Sequence, residues 1–224
     1  MKAAIVIFPG TNRERDMQKA LTQAGFAIDF VWHDDIALPP HVDLVALPGG
    51  FAHGDYLRPG AMAARSRLMK DIIAKAKEGL PIFGVCNGFQ VLTETGLLPG
   101  ALRRNIHGRF ICRNVDLKIE KNNAAICAGL ADGQIMNVPV AHHDGRYDID
   151  GDGLKMLKDE GCIAFRYHGE NPNGSIDQIA GITSANGRVL GMMPHPEDHV
   201  THRQGSIDGA PLFSAFSQML GGSS

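Results

Sequence analysis

Apolar residues fall in short dense blocks punctuated by glycine and proline, and the blocks alternate between two spacings. Lys2 to Phe8 is a compact β-branched run closed by Pro9-Gly10, the pattern of a buried strand ending in a turn. Met17, Ala20, Leu21 and Ala24 then recur at helical spacing until Gly25 stops them, with Thr11 or Asn12 available as the cap. Ala27 to Trp32 and Val42 to Leu47 return to strand-like runs. Strand, helix, strand in that order predicts a parallel sheet with helices on its faces. Ala61, Ala64, Leu68, Ile72 and Ala76 predict one face of a helix ending near Glu78-Gly79. Pro81 to Val85 predicts a central strand, and Asn87 to Thr95 a helix closed by Gly96.

After Leu97-Leu98-Pro99-Gly100 the texture changes. Arg109 to Lys118, Gln134 to Val140 and Ile163 to Tyr167 are alternating or β-rich, and predict further strands, some of them antiparallel. Gly153 to Asp159 predicts a short helix, and Gly187 to Glu197 a strand running into a loop. The segment 209 to 220, with Leu212, Phe213, Phe216 and Met219 on one face, predicts a closing amphipathic helix.

A chain of 224 residues that is 44% hydrophobic can bury one good core, which favours a single domain over 1–224. With 22 Lys and Arg against 24 Asp and Glu, no charge excess points to nucleic acid or to a membrane surface. No apolar run is long enough to span a bilayer, and the first strand meets Pro9-Gly10 too soon for a signal peptide, so a cytoplasmic location is expected. The cysteines, Cys86, Cys112, Cys127 and Cys162, contain no C-x-x-C pair, and at least three are expected in the core. Asn173-Gly174-Ser175 matches the glycosylation sequon but is read as a turn.

Chemistry concentrates at two places. Gly84 and Gly88 flank Cys86 at minus two and plus two, the small-residue pattern of a sharp strand-to-helix turn with a nucleophile at the bend. There the sulfur would meet a helix N-terminus, which favours thiolate, and the Asn87 amide would face the same spot. Taken alone, the motif equally fits a cysteine buried as a small hydrophobe. Leu47-Pro48-Gly49-Gly50-Phe51 is either a plain turn or a loop whose amides approach a ligand, and its place after a strand favours the latter. Near the end, His195 is locked between Pro194 and Pro196, and extended backbone would set Glu197 on its side to hold one ring nitrogen. Nucleophile, base and orienting acid are the parts of covalent acyl transfer. The competing use is zinc, held by His195, His199 and His202 with Glu197 or His142-His143-Asp144. Pro196 and the absence of H-E-x-x-H count against it. His142, His143 and Asp144 are read as a surface or interface loop, the alternative being that they line the site.

Gly84-Val85-Cys86-Asn87-Gly88-Phe89-Gln90 together with Met193-Pro194-His195-Pro196-Glu197 resembles the class I glutamine amidotransferases, with both motifs in the family's order. Phe8-Pro9-Gly10-Thr11-Asn12, Gly54-Asp55-Tyr56-Leu57-Arg58, Arg109-Phe110-Ile111-Cys112-Arg113, Ala164-Phe165-Arg166-Tyr167 and Asn171-Pro172-Asn173-Gly174-Ser175 extend the likeness over essentially the whole length. They point to the branch that serves purine biosynthesis. Asp198 stands where the family often has arginine, and Ala141-His142-His143-Asp144-Gly145 varies a loop usually richer in glycine.

The resemblance implies an α/β fold with an open, mostly parallel, flavodoxin-like sheet, helices on both faces and additional antiparallel strands in the C-terminal half. It implies that Cys86 attacks the side-chain amide of L-glutamine, that His195 moves the protons and that Glu197 orients it. The amides of Gly50 and Asn87 would form the oxyanion hole, Phe51 and Gln90 would bind glutamine, and no metal or cofactor would belong to this chain. A large synthetase subunit using ATP and magnesium would activate the acceptor, formylglycinamide ribonucleotide, and receive the ammonia, with a small accessory subunit completing the complex. No G-x-x-x-x-G-K-[ST] is present to do this in the chain itself. The rival readings are a glutaminase subunit of another amidotransferase, a stand-alone cysteine hydrolase and a non-catalytic binding subunit. The hydrolase would usually place a histidine beside the elbow, where this chain has Asn87. The binding subunit would have lost part of the triad.

Overall fold

The computed structural model describes residues 1–120 and 124–221. The first half of the chain runs β1 (Lys2–Ile7), α1 (Glu14–Gln23), β2 (Ala27–Trp32), β3 (Leu44–Leu47), α2 (Arg67–Lys77), β4 (Ile82–Val85) and α3 (Asn87–Glu94). The second half runs β5 (Ala101–Arg103), β6 (Ile111–Ile119), β7 (Ile135–His142), β8 (Arg146–Asp148), α4 (Gly151–Asp159), β9 (Ile163–Tyr167), β10 (Ile179–Thr183), β11 (Val189–Met192) and α5 (Ala210–Met219).

Among the described residues, nine strands form one sheet in the order β2-β1-β3-β4-β11-β10-β9-β6-β7, and β5 pairs with β8 in a small antiparallel ribbon. The pairings from β2 to β11 are parallel and those from β11 to β7 antiparallel. β3, β4 and β11 are apolar or glycine at every position and wholly buried, as parallel strands covered on both faces must be. From one face α5 sets Phe213 and Phe216 against Phe83, with ring centroids 5.9 and 4.9 Å away. From the other, α3 lays Phe89 and Leu92 where Gly191 and Gly84 leave room; a Cβ at Gly84 would lie 2.6 Å from Leu92. Phe83 and Gly84 point to opposite faces because side chains alternate along a strand. Among the described residues, no helix is long and apolar enough to cross a membrane.

Several boundaries differ from the sequence-based expectation, each for a local reason. The helix expected from Ala61 begins only at Arg67, because Ser66 is extended (φ −62°, ψ 160°) and parts it from a separate 3-10 turn at Ala63–Arg65. Neither Thr11 nor Asn12 caps α1. The N-cap is Arg13, and the Thr11 hydroxyl instead accepts the Phe8 N–H inside the Pro9-Gly10 turn. β10 escaped the pattern reading: Ile-Ala-Gly-Ile-Thr is short, interrupted by Gly181 and buried throughout. Cys86, Cys127 and Cys162 are buried, in keeping with the expectation of at least three core cysteines, while the alternation of β6 turns Cys112 outward.

Candidate active site

Three neighbouring parallel strands each hand the chain to one part of the site. β3 leads into Pro48-Gly49-Gly50-Phe51, β4 into Cys86, and β11 into the segment Met193 to Glu197. Leu47 pairs with Gly84, and Met192 with Val85, so the three segments leave the sheet side by side. This is the carboxyl edge of an open α/β sheet, where such sheets bind ligands.

Cys86 adopts φ 51° and ψ −106° as the N-cap of α3, a sparsely populated region for a residue with a Cβ. Its N–H donates to the Met192 carbonyl at 2.8 Å, which ties the elbow to β11. Gly88 lets the helix start this close to β3, since a Cβ there would collide with the Leu47 carbonyl oxygen. Gly88→Ala should therefore lower stability by about 1–3 kcal/mol through backbone overpacking, read as a lower urea midpoint at unchanged m-value.

His195 and Glu197 are both buried, and His195 Nδ1 lies 2.7 Å from Glu197 Oε1. The route to this contact is not the expected extended one. Pro196–Asp198 is a 3-10 turn opening on proline, and the carboxylate folds back onto the ring. A carboxylate on Nδ1 fixes the proton there and leaves Nε2 to face other chemistry. Nε2 is buried with no partner of ordinary hydrogen-bond geometry among the described residues, while the ring also interacts with the Cys86 side chain and lines one cleft with it. Burial pushes the imidazole's pKa down, but Glu197 and the Cys86 sulfur outweigh it, so the ring holds its proton well above the ordinary histidine range. Gly49 packs against this ring; a Cβ on it would lie 2.8 Å from His195 Cε1.

The far edge of the sheet closes the site. Among the described residues β7 pairs with β6 on one side only, and alternate carbonyls on its other side hold site pieces. The Pro139 carbonyl accepts the His195 N–H at 2.8 Å, the Asn137 carbonyl accepts from His199 Nδ1 at 2.7 Å, and the Ala141 carbonyl lies 3.8 Å from Cys86 Sγ. An edge that would otherwise invite pairing with another strand is thereby covered.

The cleft, about 290 Å³, is lined by Gly50, Phe51, Cys86, Phe110, His195 and Asp198 among others. Neither the Gly50 N–H nor the Asn87 N–H has an acceptor among the described residues. Phe51 is half-exposed. Gln90 does not line this cleft: its amide donates to the Asp144 carbonyl at 2.7 Å and accepts from Asn87 Nδ2 at 2.9 Å. Asp198, the departure from the family pattern, forms an ion pair with Arg13 at the start of α1. Sequence reasoning passed over Arg13, whose partner is distant in the chain.

His142 corrects the reading of 142–144 as a surface or interface loop. It is the last residue of β7, and strand alternation turns it inward, where Nδ1 meets Asn105 Oδ1 at 3.1 Å. Burial first, then repulsion from His195, pushes its pKa down to about 3, so it is neutral. Asn173, of the sequon, is fully buried in the same network, its Nδ2 donating to the Gly145 carbonyl at 2.8 Å and the Tyr167 hydroxyl at 3.1 Å. The zinc alternative is not assembled: His195 and His199 are turned to Glu197 and Asn137, and His202 is exposed. Among the described residues, no group of three or more His, Cys, Asp or Glu is placed to hold a metal ion.

Residues 1–217 match the family model of the CobB/CobQ-like glutamine amidotransferase domain. The chain belongs to the glutamine amidotransferase family. Within it, the chain is 52% identical over 220 residues to phosphoribosylformylglycinamidine synthase subunit PurQ of Ruegeria sp. (strain TM1040), covering 98% of this chain and 99% of that one. It is 53% identical over 222 residues to the subunit of the same name from Cereibacter sphaeroides, with 99% and 98% covered. Among solved amidotransferase structures, PurLQS from Thermotoga maritima superposes with a TM-score of 0.88 at 40% identity over 98% of each chain.

Proposed function

We infer that the chain is the glutaminase subunit of phosphoribosylformylglycinamidine synthase, a glutamine amidotransferase of purine biosynthesis. The observation that carries this is 52% identity to a PurQ subunit over nearly the full length of both chains. The geometry of the cleft supports a mechanism. The Cys86 sulfur attacks the side-chain amide carbon of glutamine, and the amides of Gly50 and Asn87 receive the oxygen as it gains charge. His195, oriented by Glu197, passes a proton to the departing nitrogen, and ammonia leaves behind a γ-glutamyl thioester. Water, giving a proton to His195, then attacks the thioester through the same oxyanion site; the ring returns that proton to the departing sulfur, releasing glutamate and the Cys86 thiol. Phe51 forms one wall for the substrate. Gln90 would reach it by exchanging its bond to the Asp144 carbonyl.

The acceptor half of the reaction belongs to a partner. A large synthetase subunit spends ATP with magnesium to activate formylglycinamide ribonucleotide and takes up the ammonia as formylglycinamidine ribonucleotide, and a small accessory subunit completes this cytoplasmic complex. The solved relative named PurLQS supports such an assembly. This chain itself needs no cofactor for the glutaminase step. An electrophilic glutamine analogue tests the reading: after digestion, the adduct mass should sit on Cys86 alone, and excess glutamine should slow labelling. An adduct on Cys112 instead, which lines the same cleft, would defeat the assignment.

A further inference from the structure

We propose that the side chain of Asn87, as distinct from its main-chain amide, is a positioning residue that holds the Gly50 loop in register with the Cys86 helix. The proposal rests on the glutaminase reading above. Asn87 opens α3 and is 2% exposed. Its Oδ1 accepts the Ala52 N–H at 3.0 Å, and its Nδ2 donates to Gln90 Oε1 at 2.9 Å and, at 3.5 Å, toward Asp55 Oδ1. Gln90 carries the tie onward to the Asp144 carbonyl at 2.7 Å. One carboxamide thus joins the loop after β3, the first turn of α3 and the loop after β7.

The gripped segment needs holding. His53, Asp55 and Leu57 have φ of 54°, 54° and 71°, left-handed backbone for residues with a Cβ, and such conformations persist only where surroundings over-determine them. The Pro9-Gly10 turn supplies one anchor, its carbonyls accepting the N–H groups of Phe51 and His53. Ala52 lies between those two and is 2% exposed, so its N–H has no water to turn to once Asn87 Oδ1 is gone. A buried donor without a partner drives the loop to move. Gly50, two residues before Ala52, moves with it, while the Asn87 amide stays on the helix. The carboxamide therefore sets the spacing of the two amides that receive the oxyanion.

In the chain assembled with its synthetase partner, Asn87→Ala should lower kcat for glutamate release by about a hundredfold, the scale of a roughly 1 Å misplacement at a reacting centre, with KM for glutamine little changed. Iodoacetamide should still alkylate Cys86 at the unaltered rate, which also reports that the variant is folded. Asn87→Asp keeps an oxygen for Ala52 and should recover part of the loss. Amide hydrogen exchange at Ala52 reads the tie without turnover: slow in the unaltered chain and in Asn87→Asp, fast in Asn87→Ala. Undiminished kcat or unchanged Ala52 exchange in Asn87→Ala overturns the proposal. So does a kcat loss matched by slower alkylation, since the side chain would then be shaping the nucleophile. If the unaltered complex releases no glutamate, the glutaminase reading falls, and Ala52 exchange still decides the tie.

Discussion

Cys86→Ala is expected to abolish glutamine-dependent synthesis by the complex while leaving ammonia-dependent synthesis intact. In the proposed mechanism the sulfur is the atom of the elbow that bonds covalently to substrate, a role alanine cannot fill. The nearest other thiol in the cleft, Cys112, lies on β6, opposite Ala141 in the ladder and so across β7 from the elbow. Loss of a nucleophile that works with a base and an oxyanion site removes roughly four to six orders of magnitude of rate, because the surviving groups act on a step that no longer occurs. The substitution is also gentle to the fold. Alanine keeps the Cβ, so the backbone strain at φ 51° is unchanged, and the N–H still reaches the Met192 carbonyl. Two assays on one preparation settle it: product formation with glutamine and with ammonium chloride as nitrogen source. Residual glutamine-dependent turnover within about tenfold of normal would remove Cys86 from the chemistry, and loss of both activities would show that the substitution had broken the assembly.

What the chain discloses in its sequence follows from how local each feature is. β1, β3 and β4 are legible because both faces are buried and the apolar run is therefore nearly continuous. The elbow is legible because the turn demands glycine at two fixed offsets from Cys86, and each glycine has a named steric reason. His195 and Glu197 are legible as a pair, although the extended-backbone argument that linked them is replaced by a 3-10 turn. Features that depend on distant segments stayed hidden. The ion pair of Arg13 with Asp198 spans 185 positions, and His142 meets Asn105 across 37. That Cys112 is the exposed one of the four cysteines depends on the phase of β6, which composition does not reveal. The use of the β7 edge to hold His195, His199 and Cys86 leaves no trace in β7 itself, because carbonyls do the holding and every residue has one.

Glu197→Gln is expected to lower kcat by roughly 10⁴-fold, the scale on which a triad histidine loses function when its carboxylate becomes an amide. The amide is nearly isosteric, so the cause is electrostatic. Glu197 is 0% exposed, and its charge is acceptable there because the imidazole at 2.7 Å can carry the opposite one. With glutamine, burial acts on His195 opposed only by the Cys86 sulfur, and its pKa must fall. The side-chain amide can also donate to Nδ1, moving the ring proton to Nε2, where the catalytic acceptor should be. Stability supplies an independent reading. A histidine whose folded pKa is raised stabilises the fold fully below its unfolded value, about 6.5, and loses that contribution as pH climbs through the folded value. The stability difference between the unaltered chain and Glu197→Gln should therefore be largest near pH 6 and shrink at alkaline pH, measured as urea midpoints across that range. A difference that stays level with pH, or a rate loss with no change in the pH–rate profile, would mean that Glu197 only fills space beside the ring.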